Sequence, residues 1–474
     1  MIPACKTSTA VLGRFAALAI AVSLISPCNV HAQTVSILYD FGNRLGDPVQ
    51  PSLAGIVAQG RDGNLYTSGG GGDYGYGAIF KITPTGELTV LYSFNGIDGS
   101  FPNSGLTLGH DGNFYGTASN SGTFGFGTVF KVTPQGRLTT LYNFTGGSND
   151  GGYPRVPPIL GIDGNLYGTT PLDGAGSSGT VYKITPSGTF TTLYRFDGPL
   201  GGANPLAPLL AGVDGRLYGT TFSGGKNGLG VLFSMTTAGK LRVLYNFDDV
   251  HGAGPLGPLV QAYDSNFYGT TIGGGSNNAG VIFRITPAGA LTDLHNVNGT
   301  TDGQYPYTGV VQATDGSLYG ANADPSAYGT IFRVTTYGLY SVLYNFDGIT
   351  GAQPYVPLVQ HTGGVLYGET TYGGTGDIVP CNGGCGISYS LNVGLRPFVT
   401  LLSTVGKVGK NVQILGQGFA GTADVSFNGT PALFKVVKDT FLIATVPPGA
   451  TSGFVTVRTP GGTLRSNNRF RIKP

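Results

Sequence analysis

The stretch that decides the fold is read best at its second occurrence: DGNFYG at 111–116, GTVFKVTPQG at 127–136 and LYNF at 141–144. The same pieces recur along the chain. DGxLYG-like elements begin at Asp62, Asp111, Asp163, Asp214, Asp264 and Asp315 and, without the carboxylate, at Gly363, at intervals of 49, 52, 51, 50, 51 and 48 residues. Each is followed by an alternating apolar segment (AIFKITP, TVFKVTP, TVYKITP, VLFSMTT, VIFRITP, TIFRVTT, ISYSLNV), and six of the seven then carry an LYxF-like segment. Four short strands at such a period match the blade of a β-propeller. Helical repeats are excluded by the period-2 alternation and by 83 glycines.

Within a unit, strand A is the apolar run before the Asp, such as PPILGI at 157–162; strand B is LYGTT, C is VFKIT and D is LTTLYNF. DGN suits a tight A–B hairpin, with the Asp able to accept backbone N–H groups. TPxG has the Pro and Gly of a type I turn between C and D. One fragment, ILYDF at 37–41, is a strand D without a blade, and the last unit lacks its own strand D. A ring closed by that N-terminal strand leaves no exposed sheet edge. The expected fold is therefore all-β: a seven-bladed β-propeller over 37–394, closed by the N-terminal strand, and a small immunoglobulin-like β-sandwich over 395–474.

Residues 1–32 read as a secretory signal, with Lys6 and Arg14, an apolar run and Val30-His31-Ala32 before the cleavage point. Pro27 disfavours lipid attachment at Cys28. No later segment approaches the roughly 20 apolar residues of a spanning helix. The expected location is secreted, extracellular or at the cell surface, with the periplasm as the other compartment. In that setting Cys381 and Cys385 of CNGGC form a local disulfide; two thiols without nearby histidines do not make a metal set. Net charge is +2 overall. Residues 33–395 nevertheless carry 14 Lys and Arg against 22 Asp and Glu, and residues 396–474 carry 10 against 2. An acidic repeat region thus precedes a basic C-terminal domain.

GTVFKITPxG, LYNF and DGNLYG together resemble the Gloeo/Verruco ("GloVer") tandem repeat, over about 350 residues. The resemblance implies secreted bacterial proteins with varied anchoring modules and brings no activity with it. Thr67, the LHNV at 294–297 and Gly363 depart from the pattern. Beyond Pro397, the Gly416-Gln417-Gly418-Phe419, VSFNG at 425–429 and Val446-Pro447-Pro448-Gly449 motifs resemble an IPT/TIG domain, which implies an Ig-like spacer or contact module.

Propeller connectivity puts the tight A–B and C–D turns on one face. The B–C loops and D-to-A connections, which hold all the length variation, lie on the other. Candidate ligand-face residues are Tyr74, Tyr76, Phe124 and Phe126 in B–C loops, and Tyr153, Tyr305, Tyr307 and Tyr355 beside prolines in D–A connections. Such aromatics stack on sugars or anchor a protein partner; the plainer alternative is that they pack under neighbouring loops. The repeated Tyr of LYG reads as packing between blades. The repeated Asp residues are spread around a ring and cannot converge on calcium. No metal or other cofactor is expected, and no catalytic residue is assigned. Glu87 and Glu369 show no sign of pairing, and none of His110, His251, His295 and His361 stands in a catalytic motif. Loop carboxylates such as Asp73, Asp98, Asp302 and Asp377 leave a glycan-cleaving acid pair open.

The leading expectation is a secreted or cell-surface interaction protein whose variable-loop face binds extracellular polysaccharide or protein. The alternatives are a secreted glycan-degrading hydrolase or lyase and a passive envelope scaffold. Nucleic acid is not an expected partner of an exported chain. The basic C-terminal domain is expected either to dock on the acidic propeller or to bind an anionic envelope polymer.

Overall fold

The computed structural model describes residues 33–51, 57–102, 104–172, 178–324 and 327–473. The expected signal, 1–32, lies outside them. Among the described residues every regular element is a strand, and no helix is long and apolar enough to cross a membrane.

Seven sheets of the repeat region share one four-strand path among the described residues. Blade 3 is typical: strands Ile159–Leu160, Leu166–Thr170, Thr180–Ile184 and Phe190–Arg195 pair antiparallel in chain order. Blade 7 takes Val359–Gln360, Leu366–Glu369 and Ile387–Asn392 from the end of the repeats and Thr34–Asp40 from the beginning. Strand A is shorter than PPILGI suggests. Pro157 and Pro158 have no N–H to donate, and the Gly161 N–H already closes the turn onto the Asn165 carbonyl, so only two residues ladder.

Repetition of the motif follows from contacts made in six of the seven blades. The Tyr115 hydroxyl donates to Asp111 Oδ2 at 2.9 Å, while the Asn113 N–H donates to Asp111 Oδ1 at 3.1 Å. Equivalent Tyr–Asp bonds recur at Tyr66, Tyr167, Tyr218, Tyr268 and Tyr319. The Asp is thus both turn-former and partner of a buried phenol, and burial and the carboxylate together push the Tyr218 hydroxyl up to about 12. The same rings pack between blades, as Tyr66 does by stacking on Phe114 at 4.1 Å. In blade 7, where Gly363 replaces the Asp, His361 Nδ1 accepts the Gly363 N–H instead and Nε2 donates to the Gly63 carbonyl.

Two further contacts lock neighbouring blades. Strand D is bulged at its Leu, between Thr140 and Tyr142 in blade 2. The carbonyl of bulged Leu91 fills the place where a Cβ on Gly136, in the next blade's TPxG turn, would sit. The second contact involves Gly127 (φ +94°), whose missing Cβ leaves room for the ring of Pro154 entering the next blade. Leu38 on the N-terminal strand meets Gly86 of blade 1 in the first way, so the closing strand supplies the same inter-blade contact as any other strand D.

The C-terminal domain is a sandwich of two sheets, ordered Thr400–Leu401, Asn411–Leu415, Phe441–Thr445, Phe434–Lys438 and Val405–Gly406, Gly462–Ile472, Gly453–Thr459, Asp424–Phe427, Thr430–Pro431. Val412, Ile414, Leu442, Val455, Val457 and Phe470 are among its core residues. It packs on the tight-turn face of the propeller. Strand Phe441–Thr445 is apolar on both sides: Leu442 and Ala444 enter the sandwich core, whereas Phe441 joins Tyr66, Phe114 and Leu415 in a propeller-side cluster. Arg61 lies over the Phe441 ring at 4.6 Å and donates to the His110 carbonyl and Gln413 Oε1. Gln417 donates to Thr362 Oγ1, and Arg471 to the Val213 carbonyl. The charge asymmetry suggested an electrostatic attachment. The contact is instead apolar and hydrogen-bonded, and the ion pairs among the described residues (His251–Asp293, His295–Asp302 and Arg333–Asp315) all lie within the propeller.

Candidate functional site at the axial mouth

The Ig-like domain packs on part of the turn face, and the opposite, variable-loop face carries the axial mouth. Each D–A connection enters its blade through a residue in the left-handed region followed by proline: Gln50 (φ 45°), Phe101 (55°), Tyr153 (55°), Asn204 (56°), Gly254 (62°), Tyr305 (55°) and Gln353 (51°). Six of these seven are not glycine, which is costly for L-residues. The conformation is held because each amide donates back to the carbonyl preceding the strand-C glycine, as Tyr153 does to Phe126 at 2.8 Å and Gln353 to Tyr328 at 2.7 Å. That turn aims the residue after the proline towards the axis. Arg155, Leu206, Leu256, Tyr307 and Tyr355, from five successive blades, therefore line one cavity of about 190 Å³, with Phe222 and Ile272 completing its wall. The matching positions in blades 1 and 2, 52 and 103, lie outside the described residues.

The mouth is mostly apolar, and Arg155 is the one charged side chain among its described lining residues. Tyr307 and Tyr355 meet edge to face at 4.9 Å. Burial, then the neighbouring Tyr307 and Tyr372, push the Tyr355 hydroxyl up to about 12, so it is a neutral donor at physiological pH.

Of the aromatic residues expected on this face, Tyr307 and Tyr355 line this cavity, with Tyr305 beside Tyr307 at 6.3 Å, and Tyr153 lines an adjoining hollow of about 520 Å³ that shares Arg155, Leu206 and Phe222. Phe126 and Tyr153 pack on each other at 5.4 Å, both half-buried, Phe126 against Gly146. Tyr74, Tyr76 and Phe124 are the exposed ones, at 64%, 43% and 55%, and they belong to blades 1 and 2, apart from the Tyr307–Tyr355 pair. Cys381 and Cys385 are bonded, and Cys385 packs with Phe41 and Phe80 beneath the closing strand. Sequence reasoning missed Arg155, Leu206, Leu256, Phe222 and Ile272. The available signal for the first three was positional, since each directly follows the proline of its connection.

Three of the four carboxylates named for an acid pair, Asp73, Asp98 and Asp302, have other partners. Asp98 accepts from Tyr92, and Asp302 is bound to His295 Nε2 at 2.7 Å. Asp73 accepts from Ser93. Glu369 is fully buried in strand B of blade 7, its Oε2 without a hydrogen-bond partner, and burial pushes its carboxyl up to about 8.

Fold and site together define a β-propeller scaffold with one face of variable loops and an appended Ig-like module. The chain belongs to the Gloeobacter/Verrucomicrobia repeat family, which matches residues 24–211 and 159–379. Residues 397–472 match the IPT/TIG domain. Among curated proteins no sequence match was found. Among solved structures, the chain is similar to the PQQ-bound form of aldose sugar dehydrogenase from Streptomyces coelicolor (13% identity, 76% of this chain, 98% of that one, TM-score 0.37). It is also similar to a luciferin-regenerating enzyme (13% identity, 77% and 97%, TM-score 0.41). A third is TolB from Acinetobacter baumannii (16% identity, 51% and 53%, TM-score 0.35).

Proposed function

We propose that this is an exported interaction protein that binds a partner protein at the axial mouth of its variable-loop face. The observation that carries the reading is the convergence of Arg155, Leu206, Leu256, Tyr307 and Tyr355 from five blades onto one apolar cavity. A cavity of about 190 Å³ walled mostly by aliphatic and aromatic side chains suits an apolar side chain presented by a protein. A sugar would need a denser set of hydrogen-bonding groups than Arg155 and two phenols supply. The Ig-like domain packs on the opposite face, which leaves the mouth free for a partner.

Carbohydrate binding is the second reading, favoured by exposed Tyr74, Tyr76 and Phe124 on the B–C loops of blades 1 and 2. A peptide-display library panned on residues 33–474, alongside the Leu206→Asp variant, tests the first. Peptides sharing a bulky apolar residue should enrich on the parent and lose binding to the variant. A glycan array probed with the same protein tests the second. Glycan binding without peptide enrichment would transfer the function to the exposed aromatics, and cleavage products would make the protein an enzyme.

A further inference from the structure

A second concave site lies where the two domains meet, on the side away from the mouth. It is a cleft of about 600 Å³ whose lining includes Tyr263 and Asp315 from the propeller turns, Arg396 from the linker, and Phe454, Arg465 and Asn467 from the Ig-like domain. Its size falls in the range of small-ligand sites. We propose that this cleft binds an acidic sugar unit of a carboxylate-bearing polysaccharide.

The charge balance of the cleft is positive. Asp315 is already engaged, accepting from the Tyr319 hydroxyl at 3.0 Å and from the Arg333 guanidinium at 3.3 Å. Arg396 and Arg465 are exposed and have no ion pair among the described residues. Arg465 Cζ lies 3.5 Å from the centroid of the Phe454 ring, a cation–π contact that restrains its guanidinium while no acidic partner among the described residues occupies its N–H groups. A preoriented guanidinium is suited to bidentate recognition of a carboxylate.

The remaining groups favour a sugar over a bare anion. Tyr263 presents an exposed ring (38%), and aromatic faces pack against the C–H faces of pyranose rings. Asn467 Oδ1 is buried without a hydrogen-bond partner, an acceptor that a ligand hydroxyl would satisfy. No single-domain feature produces this set: the cations come from the linker and the Ig-like domain, and the ring of Tyr263 from a turn of blade 5. The cleft would tether the protein to an acidic matrix while the mouth engages its partner, and it stands whether or not the mouth reading does.

The test is calorimetric titration of residues 33–474 with oligogalacturonate, with the carboxyl-reduced neutral oligomer and with polyglutamate. Oligogalacturonate should bind, and added salt should weaken it. Arg396→Gln and Arg465→Gln should each weaken binding about tenfold or more, the loss of a charge-assisted hydrogen bond. Lys407→Gln, which removes the same charge outside the cleft, should leave it unchanged. Equal binding of the neutral oligomer would remove the carboxylate from the proposal, and equal binding of polyglutamate would remove the sugar ring. The proposal is overturned if oligogalacturonate does not bind, or if Lys407→Gln weakens it as much as Arg396→Gln.

Discussion

Ile37 lies opposite Tyr389 in one antiparallel ladder, so a residue near the start of the repeat region is held by one near its end. The pairing runs from Thr34 with Asn392 to Asp40 with Ile387, broken by a bulge between Ile37 and Tyr39. Just beyond it, Phe41 is completely buried against Phe80 and Cys385.

Removing residues 33–41 should therefore open the ring, not merely trim an end. Phe41→Ala is the milder form, expected to cost about 3–5 kcal/mol from loss of a fully buried ring. Urea unfolding of both variants measures this, and near-parental midpoints would show that closure contributes little.

Gly127 has room for no side chain: a Cβ there would lie 2.5 Å from the Ala118 carbonyl oxygen and 2.8 Å from Pro154 Cδ. Gly127→Ala should destabilise by about 1–3 kcal/mol or more, through overpacking added to an unfavourable φ. The opposite change is expected at Gln353, whose φ of 51° is left-handed. Gln353→Gly should stabilise by about 0.5–1 kcal/mol, since Gly254 already fills the equivalent place in blade 5. Thermal melts of the pair should move in opposite directions.

Glu369 makes stability depend on pH. Its folded value is about 8, against an ordinary 4.5, because burial disfavours the carboxylate. Below 4.5 both folded and unfolded chains hold the proton and there is no penalty. Between 4.5 and 8 the unfolded chain releases it first, so stability falls as pH rises, by about 1.4 kcal/mol per pH unit, and levels off above 8. Comparing the pH dependence of unfolding for Glu369→Gln and the parent isolates this contribution. The variant should lack that part of the slope, and superimposable profiles would refute it.

Phe441 should hold the two domains as one cooperative unit. Phe441→Ala removes a buried ring from the propeller-side cluster and is expected to cost about 3 kcal/mol or more. In calorimetry one parental transition should divide into two. Because the contact is apolar and hydrogen-bonded, raising the salt concentration to about 1 M should not reproduce that division. If salt alone separates the domains, charge attraction governs the docking.

Much of the architecture was legible because each blade repeats the same local solution. The orphan ILYDF pointed to closure by the first strand, and the turn signals DGN and TPxG are local, readable from neighbouring residues. The mouth was less legible. Tyr307 and Tyr355 were singled out as aromatics beside proline, but Leu206 and Leu256 look like ordinary loop residues. Only the ring brings together positions about 50 residues apart, and only a left-handed turn before each proline points them inward. In the same way FLIAT at 441–445 reads as a sandwich strand, with nothing local to say that Phe441 faces a second domain.

The sequence by itself determined the repeat, the strands, the turns and the all-β class, since alternation, glycine placement and proline geometry act over a few residues. Tertiary structure alone decided the rest: which side chains meet at the axis, how the Ig-like domain packs on the turn face, and that Arg396 and Arg465 share a cleft with Tyr263. Those relationships depend on the summed rotation of the blades and on packing between two apolar surfaces, and neither quantity is written at any one position of the chain.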